Sequence, residues 1–180
     1  MLRIAYRRRA RWGGTLAEVL FAALLLSGVT LTALRGLRNV RDAQIETADL
    51  ARAQELAREL MTEIIDHPYE EPLEAIEFGP ETSEVTTPQT RVNFDDVDDY
   101  KEWNKDKDLV IQKKDGTPLN IASDWVRTAD VEFVKENDLS RKNNNDRGVK
   151  RIIIKVERGG TQLVTLVGTV SKHWQLPPYD

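Results

Sequence analysis

Twenty mostly apolar residues, Thr15 to Leu34, follow directly on an arginine cluster and a glycine pair, Arg7-Arg8-Arg9-Ala10-Arg11-Trp12-Gly13-Gly14. At ~1.5 Å per residue a helix of this length covers about 30 Å, the thickness of a bilayer's hydrocarbon core. The run is apolar on all sides, so it needs a lipid or protein surround along its whole circumference. Five arginines (Arg3, Arg7, Arg8, Arg9, Arg11) and no acid precede Gly13. That excess of positive charge keeps the N-terminus cytoplasmic and sends the remainder across the membrane. Glu18 does not fit a plain anchor, because a carboxylate within such a segment costs a few kcal/mol at mid-depth and less near an end.

Other targeting signals fit less well. A secretory peptide needs a small-x-small cleavage site after its apolar core. Ala22-Ala23 comes too early for one, and Ser27-Gly28 is followed by further apolar residues. Arg7-Arg8-Arg9 raises a twin-arginine export signal, but the motif that should follow is missing. A signal anchor with a stray acid, tethering an unrelated domain, remains the alternative.

Gly13-Gly14-Thr15-Leu16-Ala17-Glu18-Val19-Leu20 resembles the N-terminal processing signal of type IV pilins and of type II secretion pseudopilins. In that family a basic leader ends in glycine, and the fifth residue of the mature chain is glutamate. The resemblance implies cleavage by a prepilin peptidase between Gly13 and Gly14, N-methylation of Gly14, and a role for Glu18 in assembly. Thr15, Leu16, Val19 and Leu20 match the family pattern. Gly14 stands where a bulky apolar residue is usual, and Ala17 where a larger aliphatic is usual. A cut after Gly14 would make Glu18 the fourth residue, so the register of the glutamate favours Gly13. Arg52-Ala53-Gln54-Glu55-Leu56-Ala57 further resembles minor pseudopilins of the I type and PilV-like minor pilins.

Charge and composition narrow the chemistry. The formal charge of −4 conceals an acidic body, since loss of the five leader arginines leaves −9. Without a basic patch there is little to release counterions from phosphates, so no nucleic-acid partner is expected. The chain has no cysteine and two histidines, His67 and His173, in separate regions. No catalytic or cofactor motif accompanies them, and an enzyme is not expected.

No proline interrupts the chain between Thr15 and Pro68. The spacing predicts one helix of about 50 residues, on the order of 75 Å. Gly28 is its expected weak point. Leu50, Ala53, Ala57, Leu60 and Ile64, widened by Leu56 and Met61, form an apolar stripe, while Arg52, Glu55, Arg58, Glu59 and Glu63 read as a solvated face. The helix should stop near Asp66, with His67 meeting its last carbonyls.

Residues 67–90 read as a proline-broken linker, with short strands possible at Val85-Thr86-Thr87 and Arg91-Val92-Asn93-Phe94. Asp95-Asp96-Val97-Asp98-Asp99 is oxygen-rich but lacks the alternation and turn glycine of a calcium loop. It reads as a polar turn with no metal, Phe94, Val97, Tyr100 and Trp103 packing inward; the alternative is a calcium site, such as the family resemblance implies for some major pseudopilins. Leu109 to Gln112 and Leu119 to Ile121 flank an Asp115-Gly116 turn, Trp125 to Val134 reads as a strand, and 137–148 as a mobile polar loop. Gly159-Gly160 joins two alternating runs in a hairpin expected to pair Val156 with Leu163, Ile154 with Thr165 and Ile152 with Val167. Ile153, Val164 and Leu166 would then line the opposite face.

The expected fold is α+β and pilin-like: a long N-terminal helix, membrane-inserting in its first half, packed on a small antiparallel sheet. Its expected parts are a leader (1–13), a transmembrane and assembly helix (14–36), an amphipathic half (37–66), the linker (67–90) and a β domain (91–180). The resemblance implies a structural subunit without cofactor, held in the bacterial inner membrane with its mature domain periplasmic or extracellular. Its implied partners are prepilin peptidase, other pilin or pseudopilin subunits and the inner-membrane assembly platform. The rival is a single-pass anchored extracytoplasmic binding domain.

Overall fold

The structure is a computed structural model describing residues 15–70, 78–85 and 89–174. It is α+β: one helix, α1 (Leu16–Ile65), and four antiparallel strands, β1 (Trp125–Lys135), β2 (Asp138–Lys142), β3 (Val149–Arg158) and β4 (Thr161–Ser171), ordered β2-β1-β3-β4. The chain divides into two compact units, Met1–Glu46 and Thr47–Asp180. The helix ends one residue before the expected Asp66 and runs through Gly28 and Gly36 without interruption.

In the second unit the apolar stripe of α1 becomes one wall of the core. Ala53, Leu56, Ala57, Leu60, Met61 and Ile64 are buried, spaced alternately three and one apart as one face of a 3.6-residue helix requires. Leu50, expected in the stripe, is 42% exposed. The sheet supplies the other wall through Ala129, Val131, Ile152, Ile154 and Val156. Cross-strand pairing aligns these side chains, with Ala129 opposite Ile154 and Val131 opposite Ile152.

The hairpin forms where expected, and both turn glycines take positive φ (55° and 79°), as the favoured two-residue turn demands. Its register differs from the expected one. Arg158 pairs with Thr161 and Glu157 with Gln162, but Val156 pairs with Val164, Ile154 with Leu166 and Ile152 with Gly168. The irregularity between Val156 and Glu157 inserts Leu163 as an extra residue, a β-bulge, and every later side chain on β4 changes face. Val164 and Leu166 therefore pack on the core, while Val167 is exposed.

The shift also places Gly168 over the helix. A Cβ built there would lie 2.8 Å from Met61 Sδ and 3.1 Å from its Cε. Gly168→Val should therefore destabilise the unit by about 1–3 kcal/mol through overpacking, read from its denaturation midpoint. Adding Met61→Ala should recover part of the loss. Equal stability of Gly168→Val and the parent would show that this contact is loose.

Two expected features are corrected. The stretch 137–148 contains β2, pairing with β1 at Val134–Lys142 and Lys135–Asp138. Arg91-Val92-Asn93-Phe94 forms a turn, in which Phe94 N–H donates to Arg91 C=O at 3.3 Å, and makes no strand. Thr86 and Thr87 lie outside the described residues. The segments flanking the Asp115-Gly116 turn meet in an isolated bridge between Gln112 and Pro118, with Lys113 N–H donating to Thr117 C=O and Leu119 N–H to Ile111 C=O, both at 2.9 Å.

Candidate functional site

Gly13 and Gly14 lie outside the described residues; Glu18 stands at the start of α1. Thr15 C=O accepts the first helical bond, from Val19 N–H at 3.2 Å. Thr15 N–H donates to Glu18 Oε2 at 2.7 Å, and Glu18 N–H donates to Thr15 Oγ1 at 3.4 Å. This reciprocal arrangement is a capping box, which satisfies donors that the first helical turn leaves without partners. Thr15-x-x-Glu18 ahead of an apolar run is its sequence signature, and the expectation for Glu18 had not included it.

Beyond the cap, Leu16, Val19, Leu20, Phe21, Leu24, Leu25, Leu26, Val29, Leu31 and Leu34 all stand exposed. The helix is long and apolar enough to cross a membrane. The three hydroxyls between Leu16 and Leu34 are suited to an apolar surround as well. Ser27 donates to Ala23 C=O at 2.7 Å, Thr30 to Leu26 C=O at 2.8 Å and Thr32 to Gly28 C=O at 2.8 Å. Each hydroxyl thus meets its need for a partner on its own helix.

In the second unit the described residues bring charged groups together mainly to brace the fold. Arg91 is fully buried and donates to both Glu63 oxygens, at 2.7 and 3.0 Å, while Tyr100 O–H donates to Glu63 Oε1 at 2.9 Å. Burial pushes the Glu63 carboxyl up, but the hydrogen bonds and charge of Arg91 outweigh it and hold the group below its ordinary range. Glu63 therefore belongs to a partly buried network, a correction to its expected place on a solvated face. Arg127 donates to Leu56 C=O and Gln112 C=O, both at 2.9 Å. Burial and the nearby Arg91 charge bring its guanidinium down to about 10. His67 sits at the helix end as expected, with Nδ1 2.6 Å from Glu63 C=O and Nε2 2.7 Å from Lys114 Nζ.

The acidic run is a turn with an inward apolar side, Phe94, Val97, Tyr100 and Trp103 all being buried. Its carboxylates have separate tasks. Asp96 Oδ1 accepts from Asp98 N–H (2.6 Å) and Asp99 N–H (3.3 Å), and Asp99 Oδ2 accepts from Asp95 N–H (2.8 Å) and Asp96 N–H (3.0 Å). Asp98 pairs with Lys150. Burial, then the Asp98 charge, raises the Asp96 carboxyl to about 8. Among the described residues one group of carboxylates has the proximity to hold a metal: Glu81, Glu84 and Asp99, with oxygens all within 4.8 Å of one another. Burial is also the main force raising Glu84, to about 9.

No family model, curated protein or solved structure matches this chain. The family resemblance rests on residues 13–20, and its fold expectation agrees with the long N-terminal helix and the helix-on-sheet second unit.

Proposed function

We propose that this chain is a pilin-like structural subunit, cut by a prepilin peptidase between Gly13 and Gly14 and assembled into a type II secretion pseudopilus or a type IV pilus. The observation that carries this reading is one helix serving two environments. Its apolar first part stands bare on every side, and its later part packs on an antiparallel sheet. In this reading the bare part waits in the inner membrane, N-terminus cytoplasmic, and then transfers to the equally apolar interior of a filament. Other subunits, the peptidase and the assembly platform are its partners, and the folded unit is displayed outside the membrane. A single-pass anchored binding domain is the competing reading, supported by the capping box, which gives Glu18 a partner within its own chain.

Processing separates the two, because a tether has no use for it. A glycine before the cut leaves the backbone accessible where a Cβ would crowd it. Gly13→Leu expressed with its peptidase should stay uncut, about 1.7 kDa heavier than the mature chain by intact mass. An unprocessed parent would support the tether, whereas normal trimming of the variant would move the cut to the bond after Gly14.

A further inference from the structure

Three arginines close the apolar run of α1. Arg35, Arg38 and Arg41 are exposed and follow directly on Leu34, with no acid from Val19 to Arg41. Their spacing of three sets neighbouring arginines about 60° apart around the helix, so all three share an arc of about 120°. Along the axis they cover about 9 Å, comparable with the roughly 5–8 Å depth of one headgroup layer. Among the described residues none of the three guanidiniums joins an ion pair or a hydrogen bond. Asp42 stands one turn beyond Arg38, but base before acid is the weaker order on a helix, and no bridge forms. The Cα–Cβ bonds of a helix tilt toward its N-terminus. That tilt aims these side chains back toward the apolar run and away from the acids that begin at Asp42.

We propose that Arg35, Arg38 and Arg41 form a binding band for anionic phospholipid headgroups at the end of the span opposite the leader. Guanidinium forks donate to phosphate oxygens two at a time, while the methylene stems lie along the acyl chains. The band begins where the apolar run ends, so a helix that crosses the bilayer carries it to the level of the phosphates. The same contacts set how deep the helix sits. Loss of the leader would remove five arginines and leave these three as the only cationic side chains among residues 14–41. The band is then the trimmed helix's remaining side-chain charge for gripping the membrane surface. The inference rests on the proposed insertion of α1, and not on cleavage or assembly.

The test reconstitutes the full chain in vesicles of phosphatidylcholine and phosphatidylglycerol. The chain has no cysteine, so Asn39→Cys, exposed beside the band, accepts a single fluorophore. A nitroxide on the headgroup of either lipid quenches that fluorophore by contact. The leader's arginines, at the other face about 30 Å away, do not contribute. Labelled phosphatidylglycerol should quench at least about threefold better than labelled phosphatidylcholine at ~0.01 M salt, and the advantage should shrink at ~1 M. Arg35→Gln, Arg38→Gln and Arg41→Gln together should bring the ratio to about one, whereas lysine at all three positions should keep most of it. Resistance to alkaline carbonate reports insertion separately. Failure of the parent to insert would overturn the membrane reading and the band with it. Equal quenching by the two lipids in an inserted parent would overturn the band alone, as would an unchanged ratio in the glutamine variant.

Discussion

Lys150→Met should destabilise the second unit by about 3–5 kcal/mol, the usual consequence of removing one member of a buried ion pair. Lys150 is 2% exposed, and its Nζ contacts both Asp98 Oδ1 and the Tyr69 carbonyl. The ammonium also lies 4.3 Å from the centre of the Tyr69 ring. Asp98 is fixed from its other side, where Gly79 N–H donates to Oδ2 at 3.0 Å. Without Lys150 the carboxylate is left with its backbone donor, little solvent and Asp96 beside it. Asp98→Asn retains an oxygen for Gly79 and removes the charge, so the double variant should be more stable than Lys150→Met alone. Urea denaturation of the full chain in detergent would give the cycle. A loss below about 1 kcal/mol, or strict additivity, would reduce the pair to a neutral decoration of the core.

That pair also shows where sequence reading reached its limit. The helix stripe was legible because Ala53, Leu56, Ala57, Leu60, Met61 and Ile64 repeat with the helical period, and the hairpin because two glycines separate two alternating runs. The bulge at Leu163 was not. Leu163 and Val164 are both apolar, so either can occupy an inward position, and alternation alone does not reveal an inserted residue. β2 was missed because Asp138-Leu139-Ser140-Arg141-Lys142 is a polar edge strand with little buried, and such edges carry charge to discourage further pairing.

The buried cations were missed for a different reason. Arg127 shares the phase of Trp125, Ala129 and Val131, and Lys150 that of Ile152, Ile154 and Val156. Their inward direction was therefore readable from alternation. What no local pattern supplied was their partners, which lie far along the chain at Leu56, Tyr69, Asp98 and Gln112. The same distance hid the carboxylate group: Glu81 and Glu84 stood in a supposed linker, and folding alone brings Asp99 to them.

Glu18→Gln should impair incorporation into filaments as severely as Glu18→Ala, at least about tenfold, equivalent to about 1.4 kcal/mol per subunit interface. The comparison works because the capping box accepts either Glu or Gln at its third helical position. Glutamine therefore keeps the bond to Thr15 N–H and loses only the charge. In the proposed assembly, cutting after Gly13 creates an α-amine on Gly14, mostly positive at neutral pH and positive still when methylated. Two parallel helices offset by about one turn, ~6 Å, bring that amine beside the next chain's Glu18. In an apolar surround either charge alone is costly, while the hydrogen-bonded pair is tolerated. Glu18 then serves the cap in the single chain and the neighbour's amine in the filament. Both variants should leave cleavage and the fold of the second unit unchanged, and co-purification with other subunits after membrane extraction measures incorporation. Normal incorporation of Glu18→Gln with loss in Glu18→Ala would assign the residue to capping. Normal incorporation of both would remove Glu18 from assembly altogether.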